Sequence, residues 1–95
     1  MSESATGANR YAVLVEVRLR EGIADPQGAT IERALPALGL EGVSGVRAGK
    51  AFRFEVVAGS QAEALTRATV VADRLLANPV IEESSVSLVP TGATV

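Results

Sequence analysis

The chain has 95 residues, a formal net charge of −2, and no cysteine, histidine or tryptophan. Without Cys or His there is no thiolate nucleophile, imidazole base, disulfide or ordinary zinc site. The slightly acidic balance offers no positive field for nucleic acid or an anionic membrane, and the length suits one domain.

These exclusions point away from a free-standing enzyme. Asp/Glu, Ser/Thr, eight Arg and the single lysine, Lys50, remain for chemistry, and none is paired in sequence with an activating group. Apolar runs are far shorter than a membrane span, and the N-terminus lacks a charged-then-apolar signal. The expectation is a cytoplasmic domain with a small core, one that gains from burying surface in an oligomer.

Residues 1–10 are small and polar without periodicity and predict a disordered leader, followed by a single domain over 11–89 and a flexible tail over 90–95. Tyr11 to Arg20 alternates as a half-buried strand, with Val13, Val15, Val17 and Leu19 on one face. Asp25-Pro26 is a helix start, because Asp accepts first-turn amides and Pro has no N–H to lose there. Ile31, Ala34, Leu35 and Leu38 recur at helical spacing as its buried stripe. Pro36 should loosen the last turn and Gly39 should end it.

Val43 to Val57 predicts a hairpin: a short strand over 43–48, a turn at Gly49-Lys50, and a second strand over 51–57. Phe52, Phe54 and Val56 face the core, opposite Arg53, Glu55 and Val57. Ser60 with Glu63 is a capping box that opens a second helix. Leu65, Ala68, Ala72, Leu75 and Leu76 are its predicted stripe, with Glu63 and Arg67 paired outside. Asn78-Pro79 stops that helix, and a last strand runs from Val80 to Val89.

The order βαββαβ predicts an α+β, ferredoxin-like sandwich: a four-stranded antiparallel sheet with both helices on one face. The open face would carry Ala12, Leu14, Val57 and Val89, and assembly through it is expected.

Three local patterns resemble sites and fail on their chemistry. Residues 44–51 look like a phosphate loop but have Ser44 for the first glycine and Ala51 for the hydroxyl, and no helix follows. Lys50 to Phe54 looks like an RNA-stacking strand, yet Val57 replaces an aromatic and alternation turns both phenylalanines coreward. Glu82 and Glu83 are adjacent on a strand and so point to opposite faces, which forbids an acid/base pair across one bond. Glu16, Arg18 and Arg20 share a strand face and suit an ion-pair row.

Three segments, Asp25-Pro26-Gln27-Gly28, Val46 to Lys50 and Leu75 to Glu82, occur in order at family-like separations. With them the chain resembles the PurS family, small subunits of phosphoribosylformylglycinamidine synthase, from about Tyr11 to Val89. The resemblance implies a non-catalytic subunit of an ATP-dependent amidotransferase of purine biosynthesis. It would bridge a glutaminase subunit and a large synthetase subunit and help ammonia pass between them. ATP and magnesium would belong to the synthetase subunit, with no cofactor in this chain, and the small subunit would form a homodimer or tetramer. Motif positions expected as subunit contacts are Asp25, Pro26, Gln27, Gly28, Arg47, Gly49, Lys50, Asn78, Pro79 and Glu82. Ser84-Ser85 departs from the family pattern, which usually brings an aromatic residue there.

Two further readings stay open on the same element order. An ACT-like domain would bind a small molecule beside Glu21-Gly22 and Asp25. An acylphosphatase-like enzyme would need a phosphate-cradling loop beside an arginine, and the chain shows none.

Overall fold

The computed structural model describes residues 8–90. Of the expected leader, residues 1–7 lie outside the described residues, as do residues 91–95 of the expected tail. Asn9 and Arg10 open the first strand.

Strand β1 (Asn9–Leu19) is central, flanked by β2 (Gly49–Ala58) and β3 (Glu82–Leu88) in an antiparallel sheet of order β2-β1-β3. Helix α1 (Pro26–Ala34) runs into a single 3-10 turn (Pro36–Leu38), and helix α2 (Gln61–Val71) into a π-helical turn (Ala72–Leu76). The strict alternation of β1 is realised: Val13 and Val15 are fully buried, and Val17 is nearly so.

The sheet has three strands where four were expected. The missing strand is 43–48, and the reason lies in where its amides bond. Val46 N–H donates to Glu32 Oε1 at 3.0 Å and Ala48 N–H to Asp25 Oδ2 at 2.8 Å, so both donors serve carboxylates near α1. Gly42 and Gly45 adopt positive φ, which interrupts an extended run. Gly49 and Lys50 therefore begin β2 instead of turning a hairpin. The last strand is also shorter than expected, because residues 78–81 form a turn in which Ile81 N–H and Glu82 N–H both donate to the Asn78 carbonyl.

α2 lies against all three strands. Ser60 caps it through the Glu63 amide at 3.1 Å, while Glu63 Oε1 accepts Gly59 N–H and Oε2 meets Arg67 at 2.7 Å. Its buried stripe is Ala64, Ala68 and Ala72, all fully buried. These methyl side chains let the helix approach the sheet closely, and the core continues through Val15, Val17, Phe52, Phe54, Leu76, Ala77 and Val86. Leu75, expected in the stripe, is 80% exposed. The cause is the π turn: Ala77 N–H donates to Ala72 O, five residues back, and the wider turn carries Leu76 and Ala77 coreward while swinging Leu75 out.

Of the stripe expected on α1, Leu35 is half-buried, while Ile31, Ala34 and Leu38 are exposed. Gly28 is the buried residue of that helix, Ile31 is 43% exposed, and Leu38 is 70% exposed. Pro36 loosens the last turn as expected, which here becomes a separate 3-10 turn after the α-helix, and Gly39 closes that turn in the left-handed conformation. On the open sheet face Val57 is 50% exposed, as expected. Arg53, Glu55, Glu16, Arg18, Ser85 and Ser87 are exposed on it, and Ala12, Leu14 and Val89 are half-buried among them.

Candidate functional site

One end of the sheet collects the C-terminal end of β1, the first residues of β2 and β3, the start of α1 and the turn after α2. The three motif segments, distant in sequence, meet there.

The first segment is organised by the Asp25 carboxylate. Oδ1 accepts Gly28 N–H at 2.9 Å, which is the helix N-cap, and Oδ2 accepts Ala48 N–H from the second segment. The Arg47 guanidinium lies 3.7 Å from the same Oδ2, and the Asp25 side chain retains 9% of its exposure. The Gly28 amide, then the Ala48 amide and the nearby Arg47 charge, hold this carboxyl below the usual aspartate range, against the opposing effect of burial. Pro26 occupies the first helical position. Gly28 is needed because the second segment passes against it: a Cβ there would lie 2.6 Å from Val46 O and 2.5 Å from Asp25 Oδ2. Gly49 is equally constrained, since its Cβ would lie 2.7 Å from Val17 O.

The third segment is organised by Asn78 and Glu82. Asn78 Oδ1 accepts Val80 N–H at 3.1 Å, an Asx turn, while Glu82 Oε1 accepts Asn78 N–H at 2.7 Å. Glu82 Oε2 lies 3.8 Å from Lys50 Nζ, a pair that reaches across the central strand on the inner face. The Lys50 ammonium is also 6.0 Å from the centroid of the Phe52 ring. Arg20 Nε donates to Pro79 O at 3.0 Å, tying this turn to β1.

Glu83 points to the opposite face, as adjacency on a strand demands. It lies 3.4 Å from Arg18 and 3.8 Å from Arg20, so the ion row foreseen on β1 forms with β3. Arg18 also donates to Ser85 Oγ at 2.9 Å, so the serine that stands in place of an aromatic ring is engaged.

An open cleft of about 330 Å³ runs between these segments and includes Asp25, Pro26, Gln27, Gly49, Lys50 and Glu82 in its lining. All ten motif positions therefore belong to one end of the molecule, with Arg47 donating to the Leu19 carbonyl at 3.3 Å. Cations and carboxylates alternate, and each carboxylate faces an amide or a cation of this chain. Asp25, the residue an ACT-like ligand site would use, is committed to two backbone amides. Among the described residues no group of three or more Asp or Glu side chains is placed to hold a metal ion.

Glu32 belongs to this arrangement and was not foreseen. Asp25, Gly28 and Glu32 stand at i, i+3 and i+7, one helical face, with two carboxylates around a residue that has no side chain. That spacing was the available signal for a backbone segment lying along the helix.

Comparisons with known proteins agree over nearly the whole domain. Residues 12–90 match the family model of PurS, phosphoribosylformylglycinamidine (FGAM) synthase. A phosphoribosylformylglycinamidine synthase subunit PurS from Mycobacterium leprae is 42% identical over 74 residues, which is 78% of this chain and 90% of that protein. The corresponding subunit from Archaeoglobus fulgidus is 40% identical over 72 residues, covering 76% of this chain and 90% of that one. The crystal structure of the Thermotoga maritima purS subunit superposes with a TM-score of 0.80 at 32% identity, covering 86% of this chain and 94% of that one. A chain in the structure of PurLQS from the same organism superposes with a TM-score of 0.79 at 32% identity, covering 85% and 99%.

Proposed function

This chain belongs to the PurS family, subunits of phosphoribosylformylglycinamidine (FGAM) synthase in purine biosynthesis, and from that premise we propose that it is the accessory subunit of the enzyme and holds no catalytic group. It joins the synthetase subunit to the glutaminase subunit and assists the passage of ammonia between them. Glutamine hydrolysis and ATP-dependent amidine formation proceed on those two chains, with ATP and magnesium bound by the synthetase. The complex works in the cytoplasm. No helix among the described residues is long and apolar enough to cross a membrane, which fits that placement.

The observation that carries this reading is the convergence of the three motif segments at one sheet end built from backbone clamps and ion pairs. Asp25 and Glu82 are spent on amides and cations of their own chain. Such a surface suits docking and registration, which need shape and charge more than a reactive group. The similarity to a chain in the structure of PurLQS from Thermotoga maritima supports the same reading.

A homo-oligomer is part of the proposal. The core is small, and the largest side chains fully buried in it are Val13 and Val15, with Val17 nearly so. Ile31, Leu38, Leu40 and Val43 remain exposed around α1. Exposed aliphatic side chains in this number favour a second copy as their cover.

Reconstitution tests the assignment. The purified chain alone should show neither glutaminase nor synthetase activity. Added to its two partner subunits, it should restore glutamine-dependent amidine formation. Partners that work equally well without it would refute the reading.

A further inference from the structure

α1 is attached to the rest of the molecule in an unusual way. It carries no buried apolar side chain, since Gly28 is its buried residue. Its attachment is instead polar and runs through segment 46–48: Asp25 Oδ2 to Ala48 N–H, Glu32 Oε1 to Val46 N–H, and the close approach of Gly28 to Val46 O. The β1–β2 and β1–β3 ladders, by contrast, surround the fully buried Val13 and Val15 and are covered by the alanine stripe of α2.

Elements with few buried apolar contacts open at lower free energy than the core they border, and contiguous ones open together. The connections on either side suit such a motion. Gly22 precedes α1 at φ +89°, and Gly39, Gly42 and Gly45 follow it, all at positive φ, before segment 46–48 begins.

We propose that α1 is latched to residues 46–48 by the Asp25 and Glu32 carboxylates, and that this latch opens and closes while the three-stranded sheet and α2 stay folded. Asp25 is the main latch because it makes two attachments at once, one to its own helix and one to the residue that leads into β2. Glu32 is the second latch, two helical turns along the same face. The charged groups around Asp25 are Arg47 from the 46–48 segment and, across the cleft, Arg18 of β1, Lys50 of β2 and Glu82 of β3. Arg47 is held to Leu19 O as well as near Asp25, so it spans the joint that opens. α1 carries Ile31, so its seating on residues 46–48 decides where that exposed aliphatic side chain is presented. This inference rests on the geometry of the chain alone and stands or falls separately from the subunit assignment.

Native-state hydrogen exchange on the full chain in sub-denaturing urea tests it. The amides of Gly28, Val46 and Ala48, and those within α1, should exchange together through an opening that is weakly urea-dependent. The amides of Val13, Val15 and Val17 should exchange only by global unfolding. Asp25→Asn separates the two attachments, since asparagine keeps one acceptor oxygen for the N-cap and loses the second. In that variant, and in Glu32→Ala, exchange at Val46, Ala48 and α1 should rise at least tenfold, with the β1 amides unchanged after correction for global stability. Exchange of α1 and 46–48 by the global route in the wild-type chain would overturn the proposal, as would a uniform rise across sheet and helix in both variants.

Discussion

The Asp25 carboxylate accepts the Ala48 amide at 2.8 Å across 23 positions of sequence. The same carboxylate caps α1 through Gly28, so one side chain joins the start of a helix to the entry of a strand. That bond also removes a donor the expected fourth strand would have used in a ladder. The three-stranded sheet and the assembled motif end thus share one cause.

Asp25 makes the stability of this fold acid-sensitive. Its carboxyl titrates below the ordinary aspartate value of 3.8 because the Gly28 and Ala48 amides, and then Arg47, favour the charged form. The unfolded chain therefore takes up its proton first as pH falls. The stabilisation is fully present above the unfolded value and is lost as pH drops through the lower, folded one. Urea midpoints should fall between neutral pH and pH 3, and Asp25→Asn should flatten that part of the profile. An unchanged slope in the variant would remove Asp25 from the account.

Gly28→Ala should be destabilising although the residue lies in a helix, where alanine is normally preferred. Its Cβ would sit 2.6 Å from Val46 O and 2.5 Å from Asp25 Oδ2, so the 46–48 segment must shift. The cost should be about 1–3 kcal/mol, the range for forcing a methyl group into a packed contact. Urea denaturation measures it, and a stabilised variant would mean that the close approach does not exist in solution.

The alanine stripe of α2 yields a paired expectation. Ala68→Leu places a large side chain at a fully buried position between helix and sheet and should cost about 1–3 kcal/mol. Leu75→Ala, at a position 80% exposed, should change the stability of the isolated chain by less than about 0.5 kcal/mol. Thermal melts of both variants separate the observed stripe from the stripe that regular α-helical periodicity through residue 76 would give. Equal losses would favour the regular helix.

The exposed aliphatic side chains around α1 lead to a prediction about assembly. Light scattering should give at least twice the 9.8 kDa chain mass at tens of micromolar. Ile31→Glu with Leu38→Glu should lower that mass while leaving the far-ultraviolet circular dichroism in place, since both positions are exposed within one chain. A monomeric parent protein would count against the oligomer, and an undiminished assembly in the variant would place its interface elsewhere.

Much of the local structure was legible because it rests on nearest-neighbour chemistry. Alternation in β1, the Asp25-Pro26 start, the Ser60–Glu63 cap, the Pro36 break and the Asn78-Pro79 stop each depend on residues within a few positions of one another, and each is present. The faces of Phe52 and Phe54, and the separation of Glu82 from Glu83, follow from strand geometry in the same way. The errors share a different character. Segment 43–48 carries strand-like residues but gives its amides to carboxylates one element away. Leu75 obeys a helical period that a π turn interrupts. Ile31 and Leu38 have the spacing of a core stripe without a surface of the described residues burying them.

Composition and short-range spacing are enough to locate three strands and both helices, to set the inward faces of β1 and β2, and to exclude Cys and His chemistry. The sequence also carried the three motif segments that mark the family. The tertiary structure alone decided that these segments meet at one sheet end, that the sheet closes with three strands, and that Lys50 is a β2 residue reaching Glu82. The reason is physical: a backbone amide bonds the acceptor that folding brings within 3 Å, and no local pattern specifies a partner 23 residues away. The absence of Cys and His excludes thiolate and imidazole chemistry in this chain. At the motif end the carboxylates of Asp25, Glu32 and Glu82 hold backbone segments in register.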